Sequence, residues 1–378
     1  MANLTPVPSA ELRRLGRAGP NAGEMDLVRA ATMPAEAANA AWCRWVGTHT
    51  IDGAHHRSAD LLPAVSANLP AEVLGDEAPR LRGLRRRVWA DNQVVLGGLV
   101  DAATVLQGAG IEPVVAKGAA LATTVYTNPG TRAMSDADLV VGPELFGTAR
   151  QLMLDAGWRQ IDLVEGPFFH AIGMVDERRR NVDLHKWVVF PRFSPTPELA
   201  WLDRAVPHEV QGHPVRRLTS PDELVLAVVH GLLTNSPSAT RWPIDVVHLA
   251  RTAAVEDAFW SDVLVAATEI EAGPVVADAV AMCRVELDAD IPMDAIEALR
   301  AAPLDRGLAQ HWALCRRGIN LEWRVRRYRR LERSAGRKPS VVGYAAPRLR
   351  AIRTRSLTTV ISGRVRRGRQ IVEVRIRD

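Results

Sequence analysis

The sequence Ser135-Asp136-Ala137-Asp138-Leu139-Val140-Val141 joins two aspartates to an apolar run that is typical of a β-strand. Because alternate side chains of a strand share a face, we expect Asp136 and Asp138 to point to one side of a sheet. Leu139 and Val141 then point to the other side. Two carboxylates at this spacing repel each other unless a cation lies between them. The stretch therefore predicts a Mg²⁺ site, although the same pattern is also typical of a polar turn at a sheet edge.

A third aspartate follows in another predicted strand. In 181–187, Asn-Val-Asp-Leu-His-Lys-Trp, alternation places Asp183, His185 and Trp187 on one face. An acidic residue in the middle of a strand is unusual, because burial and β-propensity both disfavour it. If this strand lies beside the first, three aspartates converge. Two of them would hold metal, and the third would complete the shell of a second metal or act as a base.

The chain around these aspartates alternates between strand and helix patterns. Strands are predicted at 110–116, 135–141, 158–164, 168–175 and 181–190, and helices at 119–126 and 143–156. The order β-α-β-α-β-β-β predicts an α+β fold, in which a small mixed sheet carries helices on one side. No G-x-G-x-x-G fingerprint is present, so a doubly wound dinucleotide-binding sheet is excluded.

Helical patterns flank this predicted sheet. The region before it has an apolar stripe at spacings of four and seven residues, formed by Leu84, Val88, Val95, Leu99 and Leu106. After Leu218, the sequence Ser220-Pro221-Asp222-Glu223 predicts a helix start with Ser220 as N-cap. We predict four regions: an N-terminal helical region at 1–110, an α/β core at 111–217, a helical domain at 218–315 and a basic tail at 316–378.

The charge distribution is asymmetric. The tail from Arg316 carries 20 Lys and Arg against 4 Asp and Glu, whereas the rest of the chain has a net charge of −11. Such a split is associated with RNA, DNA or anionic membrane surfaces, and a solvated basic extension is the simpler alternative. Aromatic residues for base stacking are sparse in the tail, namely Trp323, Tyr328 and Tyr344.

Composition narrows the class of protein further. The three cysteines, Cys43, Cys283 and Cys315, are widely spaced and form no C-x-x-C motif, which argues against a zinc site or a disulfide framework. The first residues lack the apolar segment of a signal peptide, and no apolar run approaches the ~20 residues that span a bilayer. We therefore expect a cytoplasmic protein without a transmembrane segment. Richness in Ala, Arg and Val suggests a bacterial source with a high GC content.

The motifs together resemble the nucleotidyltransferase superfamily of the polymerase-β type. More closely, they resemble the uncharacterised bacterial nucleotidyltransferase-like family with the pattern KG…R…SDxDLLV…(E/D)LHW, over roughly Ile111 to Ala250. The residues that carry the resemblance are Lys117-Gly118, Arg132, Ser135-Asp136-x-Asp138-Leu139 and Asp183-Leu184-His185-Lys186-Trp187, followed by His230 and Arg241-Trp242-x-x-Asp245. The resemblance implies transfer of a nucleoside monophosphate from an NTP such as ATP, with Mg²⁺ or Mn²⁺, to a hydroxyl or amine.

The resemblance also implies roles for individual residues. Asp136, Asp138 and Asp183 would be the catalytic, metal-binding carboxylates, and His185 would support them. The implied nucleotide- and phosphate-binding residues are Lys117, Gly118, Arg132 and Ser135. Gly118 at a helix N-terminus would let backbone N–H groups approach the triphosphate, and Lys117 or Arg132 would neutralise phosphate charge. The superfamily's usual Gly-Ser is Lys117-Gly118 here, so the hydroxyl that normally touches phosphate is absent.

Each of these residues also has a simpler interpretation. Lys117 would be a solvated strand end, and Arg132 a structural partner of Asp136 or Asp138. His185 would be a core histidine packed against Trp187. His230 would likewise be a core residue, and Asp245 a helix cap or an ion-pair partner.

Three classes of function remain from the sequence, of which the third is a nucleic-acid-binding protein organised by its basic tail. The first is an enzyme that modifies a small molecule, with tRNA or a protein as the alternative acceptor. The second is a catalytically degenerate fold that binds a nucleotide or a partner. The absent Gly-Ser favours the second class, and the three carboxylates favour the first.

Overall fold

The computed structural model describes residues 7–161, 170–189, 195–234, 240–253 and 258–318, and three isolated positions of the tail at 329, 338 and 340. The chain divides into two units, Met1–Trp323 and Arg324–Asp378. The predictions for the Arg-rich tail, including its RNA or anionic-surface contacts, fall almost entirely outside the described residues. The four predicted regions remain a proposal.

The part of the chain before the sheet is helical. Its helices are α1 (Ala10–Leu15), α2 (Ala22–Thr32), α3 (Ala35–Val46), α4 (His56–Ala59), α5 (Leu62–Asn68), α6 (Ala71–Leu74) and α7 (Ala78–Gln107). In α7 the predicted apolar stripe is buried at Val95, Leu99 and Leu106, whereas Leu84 and Val88 are partly exposed. The hydrophobic pattern therefore located this long helix correctly, and its buried half packs against the sheet.

Within the described residues, seven strands form one mixed sheet. They are β1 (Val114–Ala116), β2 (Ala137–Val140), β3 (Arg159–Gln160), β4 (Ala171–Val175), β5 (Asn181–His185), β6 (Val206–Val210) and β7 (His213–Arg217), in the spatial order β3-β4-β5-β2-β1-β7-β6. The pairs β2–β5 and β1–β7 are parallel, and the others are antiparallel. The intervening helices are α8 (Lys117–Thr124), α9 (Gly142–Asp155) and α10 (Pro195–Asp203). The predicted α+β class with a mixed sheet is confirmed.

Side chains alternate between two cores along the central strands. Leu139 and Val141 belong to a core that includes residues of α7 and α9, as predicted for this face. Val114, Ala116 and Val140 belong to a larger core that continues into the C-terminal helices. Apolar packing thus lies against both faces of the sheet, and the expectation of helices on one side was wrong. Asp138 shares its face with Val140, on the side of the larger core.

The hairpin β6–β7 was not predicted. Pro207 and Pro214 interrupt the β-pattern. Pro207 lies in the edge strand β6, and Pro214 lies in β7 outside the residues that pair with β1, so proline is tolerated at both positions. Its turn contains Gln211 and Gly212, which both have positive φ, at 50° and 80°. Two consecutive left-handed residues are typical of a tight hairpin turn. The Gln-Gly dipeptide was therefore the sequence signal for this hairpin.

The C-terminal part of the first unit is helical, as expected. Its helices are α11 (Ser220–Val229), α12 (Trp242–Thr252), α13 (Phe259–Glu269), α14 (Gly273–Leu287), α15 (Met293–Ala301) and α16 (Arg306–Arg316). A π-helical turn, His230–Thr234, follows α11. The predicted N-cap Ser220 was wrong by one residue, because the Thr219 hydroxyl accepts the Asp222 N–H at 3.3 Å. Within the described residues, no helix is both long and apolar enough to cross a membrane.

Candidate metal and nucleotide site

Parallel pairing of β2 with β5 brings two of the predicted aspartates together. Asp138 lies opposite Asp183 and Val140 opposite His185 in this register. One ligand atom from each of Asp138, Asp183 and His185 lies within 4.8 Å of the other two. The two strands therefore lie side by side as predicted, and His185 belongs to the same group of candidate ligands as the two carboxylates. Two carboxylates and an imidazole are a donor set that fits a divalent cation.

Lys117, the first residue of α8, contacts this group directly. Its Nζ lies 2.6 Å from Asp138 Oδ1 and 3.3 Å from His185 Nε2. The side chain is only 14% exposed. The interpretation of Lys117 as a solvated strand end is therefore wrong, because its ammonium is largely buried against a carboxylate.

The backbone of Lys117 adopts an unusual conformation. Its φ is +54°, a left-handed value that non-glycine residues rarely adopt. The Lys117 N–H donates to both carboxylate oxygens of Glu223, at 2.9 and 3.1 Å. Glu223 was predicted only as part of a helix start, and no local sequence pattern indicates this bond. The first turn of α8 is thus attached to α11.

The surroundings of Asp138 and His185 lower the pKa of both groups, which favours a charged carboxylate and a neutral imidazole. Burial alone would raise the pKa of Asp138, but the Lys117 charge and the hydrogen bond to His185 hold it well below its usual range. Burial, and then the Lys117 charge, lower the pKa of His185 and favour the neutral ring. The ring has oxygen on both sides, since Nδ1 lies 3.2 Å from the Trp187 carbonyl and Nε2 lies 2.7 Å from Asp138 Oδ1. His185 is thus buried next to Trp187, as its simpler interpretation held, and it also contacts the site.

Asp136 lies just before β2 and outside the group of three close ligands found among the described residues. Its carboxylate accepts a hydrogen bond from the exposed Ser135 hydroxyl at 3.1 Å. Burial, and then the charge of Asp138, raise the pKa of Asp136. The two aspartates of the D-x-D motif therefore interact electrostatically, but Asp138 is the one that Asp183 and His185 join.

Arg132 is held by a different carboxylate from the one expected. Its Nε and Nη2 donate to Asp245 at 2.8 and 3.0 Å, and the Tyr126 hydroxyl donates to the same carboxylate at 2.6 Å. The structural partner of Arg132 is therefore Asp245, and the expectation of Asp136 or Asp138 was wrong. The predicted ion-pair role of Asp245 is correct. A bidentate pair of this kind fixes the plane of the guanidinium.

The third nitrogen of Arg132 lies over the first turn of α8. A Cβ added at Gly118 would lie 2.9 Å from Arg132 Nη1 and 3.3 Å from the Met134 side chain. Because Asp245 fixes Arg132, the guanidinium has little freedom to retreat. Gly118 therefore permits this close approach, a reason for glycine that differs from the backbone approach to phosphate inferred from the sequence.

Asn92 of α7 positions the segment that leads into β2, and the sequence reasoning missed it. Its Nδ2 donates to the carbonyls of Pro129 and Arg132 at 2.6 and 2.7 Å, and its Oδ1 accepts the Met134 N–H at 3.2 Å. The side chain is fully buried. A signal was present, because Asn92 occupies the helical position that the seven-residue gap between Val88 and Val95 leaves open.

Two further histidines surround the site. The His170 ring meets the His185 ring edge-on, with centroids 5.4 Å apart. His230, the first residue of the π-helical turn, interacts electrostatically with Lys117 and Asp138. Burial, and then the Lys117 charge, lower the pKa of His230 well below its ordinary value. π-Helical turns are frequent at functional sites, and this one carries a buried histidine that lies within electrostatic range of Lys117 and Asp138.

A comparison with protein families agrees with this geometry. The family described as uncharacterised nucleotidyltransferase matches residues 54–287, more than half of the chain. The chain belongs to this family. The match extends the sequence resemblance at both ends, into the helices before the sheet and the helices after it. A comparison with curated proteins gives no match.

The match to the uncharacterised nucleotidyltransferase family covers the whole candidate site. The matched region contains every residue described here, from Asn92 in α7 to Asp245 in α12. It also contains the candidate metal ligands Asp138, Asp183 and His185.

Proposed function

We propose that this protein is a nucleotidyltransferase that uses Mg²⁺ or Mn²⁺ to move a nucleoside monophosphate from an NTP to a hydroxyl or amine. The observation that carries the proposal is the pairing of Asp138 with Asp183 in adjacent parallel strands, with His185 completing the group. Carboxylates at this spacing without a cation would repel each other, and Lys117 supplies one positive charge where two carboxylates meet.

In this proposal Asp138, Asp183 and His185 bind the metal ion, and Asp136 lies next to this group of ligands without belonging to it. A bound divalent ion would neutralise charge on the phosphates and lower the barrier to displacement at phosphorus. The proposal assigns phosphate binding to Lys117 and to the Nη1 of Arg132, which lies close to Gly118, and Ser135 is exposed next to Asp136. Gly118 lies at the start of α8, where free backbone N–H groups favour anions.

The proposed reaction is an in-line transfer. The acceptor oxygen or nitrogen forms a bond to the α-phosphorus, while the bond from that phosphorus to the bridging oxygen of pyrophosphate breaks. The acceptor proton passes to a carboxylate, for which Asp183 is the candidate, and pyrophosphate leaves with the electron pair. A small-molecule acceptor is favoured, and tRNA or a protein is the alternative.

The test is label transfer from each [α-³²P]NTP, with Mg²⁺ or Mn²⁺, alone and with total tRNA. Wild type is compared with Asp136→Ala, Asp138→Ala and the matched control Asp155→Ala, which changes an exposed aspartate at the end of α9. We expect label transfer or pyrophosphate release by wild type and the control, and its loss in Asp138→Ala. A steep dependence of turnover on salt would indicate a nucleic-acid acceptor, because binding then displaces counterions from several phosphates.

A second candidate is a degenerate member of the family that binds a nucleotide or a partner without catalysis. The observation that favours it is Lys117-Gly118 in place of Gly-Ser, together with the bond of the Lys117 N–H to Glu223. That N–H is not free for a phosphate. NTP binding that needs no divalent ion and is unchanged in Asp138→Ala would support this second function and contradict the first.

A further inference from the structure

Lys117 contacts two of the candidate metal-ligating atoms. Its ammonium lies 2.6 Å from Asp138 Oδ1 and 3.3 Å from His185 Nε2. A metal ion bound by Asp138, Asp183 and His185 would use the same oxygen and the same ring nitrogen. Two cations cannot share these two atoms at close range, because their charges repel. Lys117 and a metal ion are therefore competitors for one position.

The surroundings of the His185 ring are compatible with a cation at Nε2. Nδ1 lies 3.2 Å from the Trp187 carbonyl, so an Nδ1–H would donate to it. Without a metal ion, an Nε2–H donates to Asp138 Oδ1 at 2.7 Å. The Nδ1–H tautomer instead leaves the Nε2 lone pair to a cation. Metal-bound histidines commonly use this arrangement, with the other ring N–H on a backbone carbonyl.

Lys117 can leave without a change in the fold around it. Its backbone is held by the two bonds from its N–H to Glu223, whereas the ammonium is carried on four methylene groups. Only three of the 48 basic residues in the chain are lysines, Lys117, Lys186 and Lys338. A lysine at 117 in an arginine-rich chain is consistent with a need for a small, movable charge rather than a rigid guanidinium.

We propose that Lys117 is a displaceable internal cation: a divalent metal ion replaces its ammonium between Asp138 and His185, and the released ammonium binds the triphosphate of the nucleotide. The proposal rests on the proposed function and deepens it, because one side chain then links metal binding to nucleotide binding. By the reciprocity of such linkage, the metal favours the nucleotide and the nucleotide favours the metal.

The first experiment measures Mn²⁺ binding to the full chain without nucleotide, by titration calorimetry and by the EPR signal of free Mn²⁺. In Lys117→Met we expect affinity to rise by about tenfold or more, because the metal no longer displaces an ion-paired ammonium. The matched control is Lys186→Met, which removes a lysine whose Nζ lies over the Trp187 ring, and its affinity should stay at the wild-type value. The double variant Lys117→Met with Asp138→Asn should lose the gain.

A second variant keeps the test valid if Lys117→Met does not fold. Lys117→Gly removes the ammonium and suits the left-handed φ of this position, so it should fold at least as well as wild type. Circular dichroism and thermal unfolding identify the folded variants. Mn²⁺ affinity equal to or below the wild-type value in a folded Lys117 variant would overturn the proposal.

The second experiment measures binding of an α,β-methylene NTP in the presence of Mn²⁺. We expect Lys117→Met to bind this analogue about tenfold more weakly than wild type, although it binds Mn²⁺ more tightly. Unchanged analogue affinity would overturn the role of Lys117 in nucleotide binding. If wild type binds Mn²⁺ but no NTP analogue, the proposed function fails while the Mn²⁺ results still decide whether Lys117 is displaced.

Discussion

The backbone N–H of Lys117 donates a bifurcated hydrogen bond to the two carboxylate oxygens of Glu223, at 2.9 and 3.1 Å. This bond joins the first residue of α8 to the first turn of α11. A non-glycine residue with left-handed φ costs about 1 kcal/mol, so this bond stabilises a conformation that Lys117 would otherwise avoid. Glu223 is buried, and burial raises its pKa to about 8 against the opposing effects of the Lys117 N–H, Arg217 and Arg132. The site therefore depends on a carboxyl group that takes up a proton on folding.

The pH dependence of stability should reveal Glu223. Between its ordinary pKa of 4.5 and about 8, the folded protein retains a proton that the unfolded chain has released. This contribution is fully present below the unfolded pKa and is lost as pH rises through about 8. Across this window the free energy of unfolding of wild type should fall by up to about 1.4 kcal/mol per pH unit relative to Glu223→Gln. Urea unfolding of both proteins between about pH 5 and about pH 8 measures it. Parallel stability curves would contradict the prediction.

The Arg132–Asp245 pair should be a large contributor to stability when only one partner is removed. Asp245→Asn leaves a buried guanidinium without its counter-charge, and we expect a loss of about 3–5 kcal/mol in the free energy of unfolding. Tyr126→Phe removes only one hydrogen bond to the same carboxylate and should cost about 1 kcal/mol. Denaturant unfolding of the two variants provides the comparison. Equal losses would show that the pair is not the main interaction of this cluster.

Asn92 should affect both stability and the site. Asn92→Leu leaves the carbonyls of Pro129 and Arg132 and the Met134 N–H without their partner, which should cost at least about 2 kcal/mol. Because that segment leads into Asp136 and Asp138, Mn²⁺ affinity should also fall, by about tenfold. The matched control is Asn68→Leu, since Asn68 donates to two carbonyls in the N-terminal helices. It should lower stability and leave Mn²⁺ affinity unchanged, and a drop in affinity there would refute a specific role for Asn92.

The two aspartates of the D-x-D motif should not be equivalent. Asp138→Asn and Asp183→Asn each remove a member of the three-residue group, and each should weaken Mn²⁺ binding by about 100-fold or more. Asp136→Asn removes a carboxylate outside that group and should weaken it by less than about tenfold. Titration calorimetry on the three variants gives the order. An effect of Asp136→Asn as large as that of Asp138→Asn would restore the ligand set expected from the sequence.

The sequence predicted the features that depend on local periodicity. Alternation put Leu139 and Val141 on one face of β2 and Asp138 on the other, and the unusual aspartate inside 181–187 marked β5 as its neighbour. The seven-strand sheet could not be predicted in full, because Pro207 and Pro214 interrupt the β-pattern of the hairpin that they belong to. Proline is compatible with that hairpin because Pro207 lies in the edge strand β6 and Pro214 lies outside the part of β7 that pairs with β1.

The contacts between distant segments could not be predicted. Arg132 was expected beside the D-x-D motif, but its partner Asp245 lies in α12, and no local pattern reports such a pairing. Glu223 follows a helix start and fits a capping pattern, yet its carboxylate bonds to Lys117 instead. Asn92 is the exception. A polar residue at the open position of an apolar stripe is a readable signal that a buried hydrogen-bonding partner is required.

The parallel pairing of β2 with β5 also has a consequence for how the protein folds. Parallel neighbours cannot be joined by a tight hairpin. The ribosome must therefore synthesise α9, β3 and β4 before Asp183 can lie next to Asp138. A chain that has left the ribosome only as far as β4 carries Asp138 and Lys117 but no complete set of ligands. Contacts this far apart in sequence form late and slowly. In the proposed function, a cation would therefore bind only after the central sheet has closed, and a bound ion would report completed folding of the core.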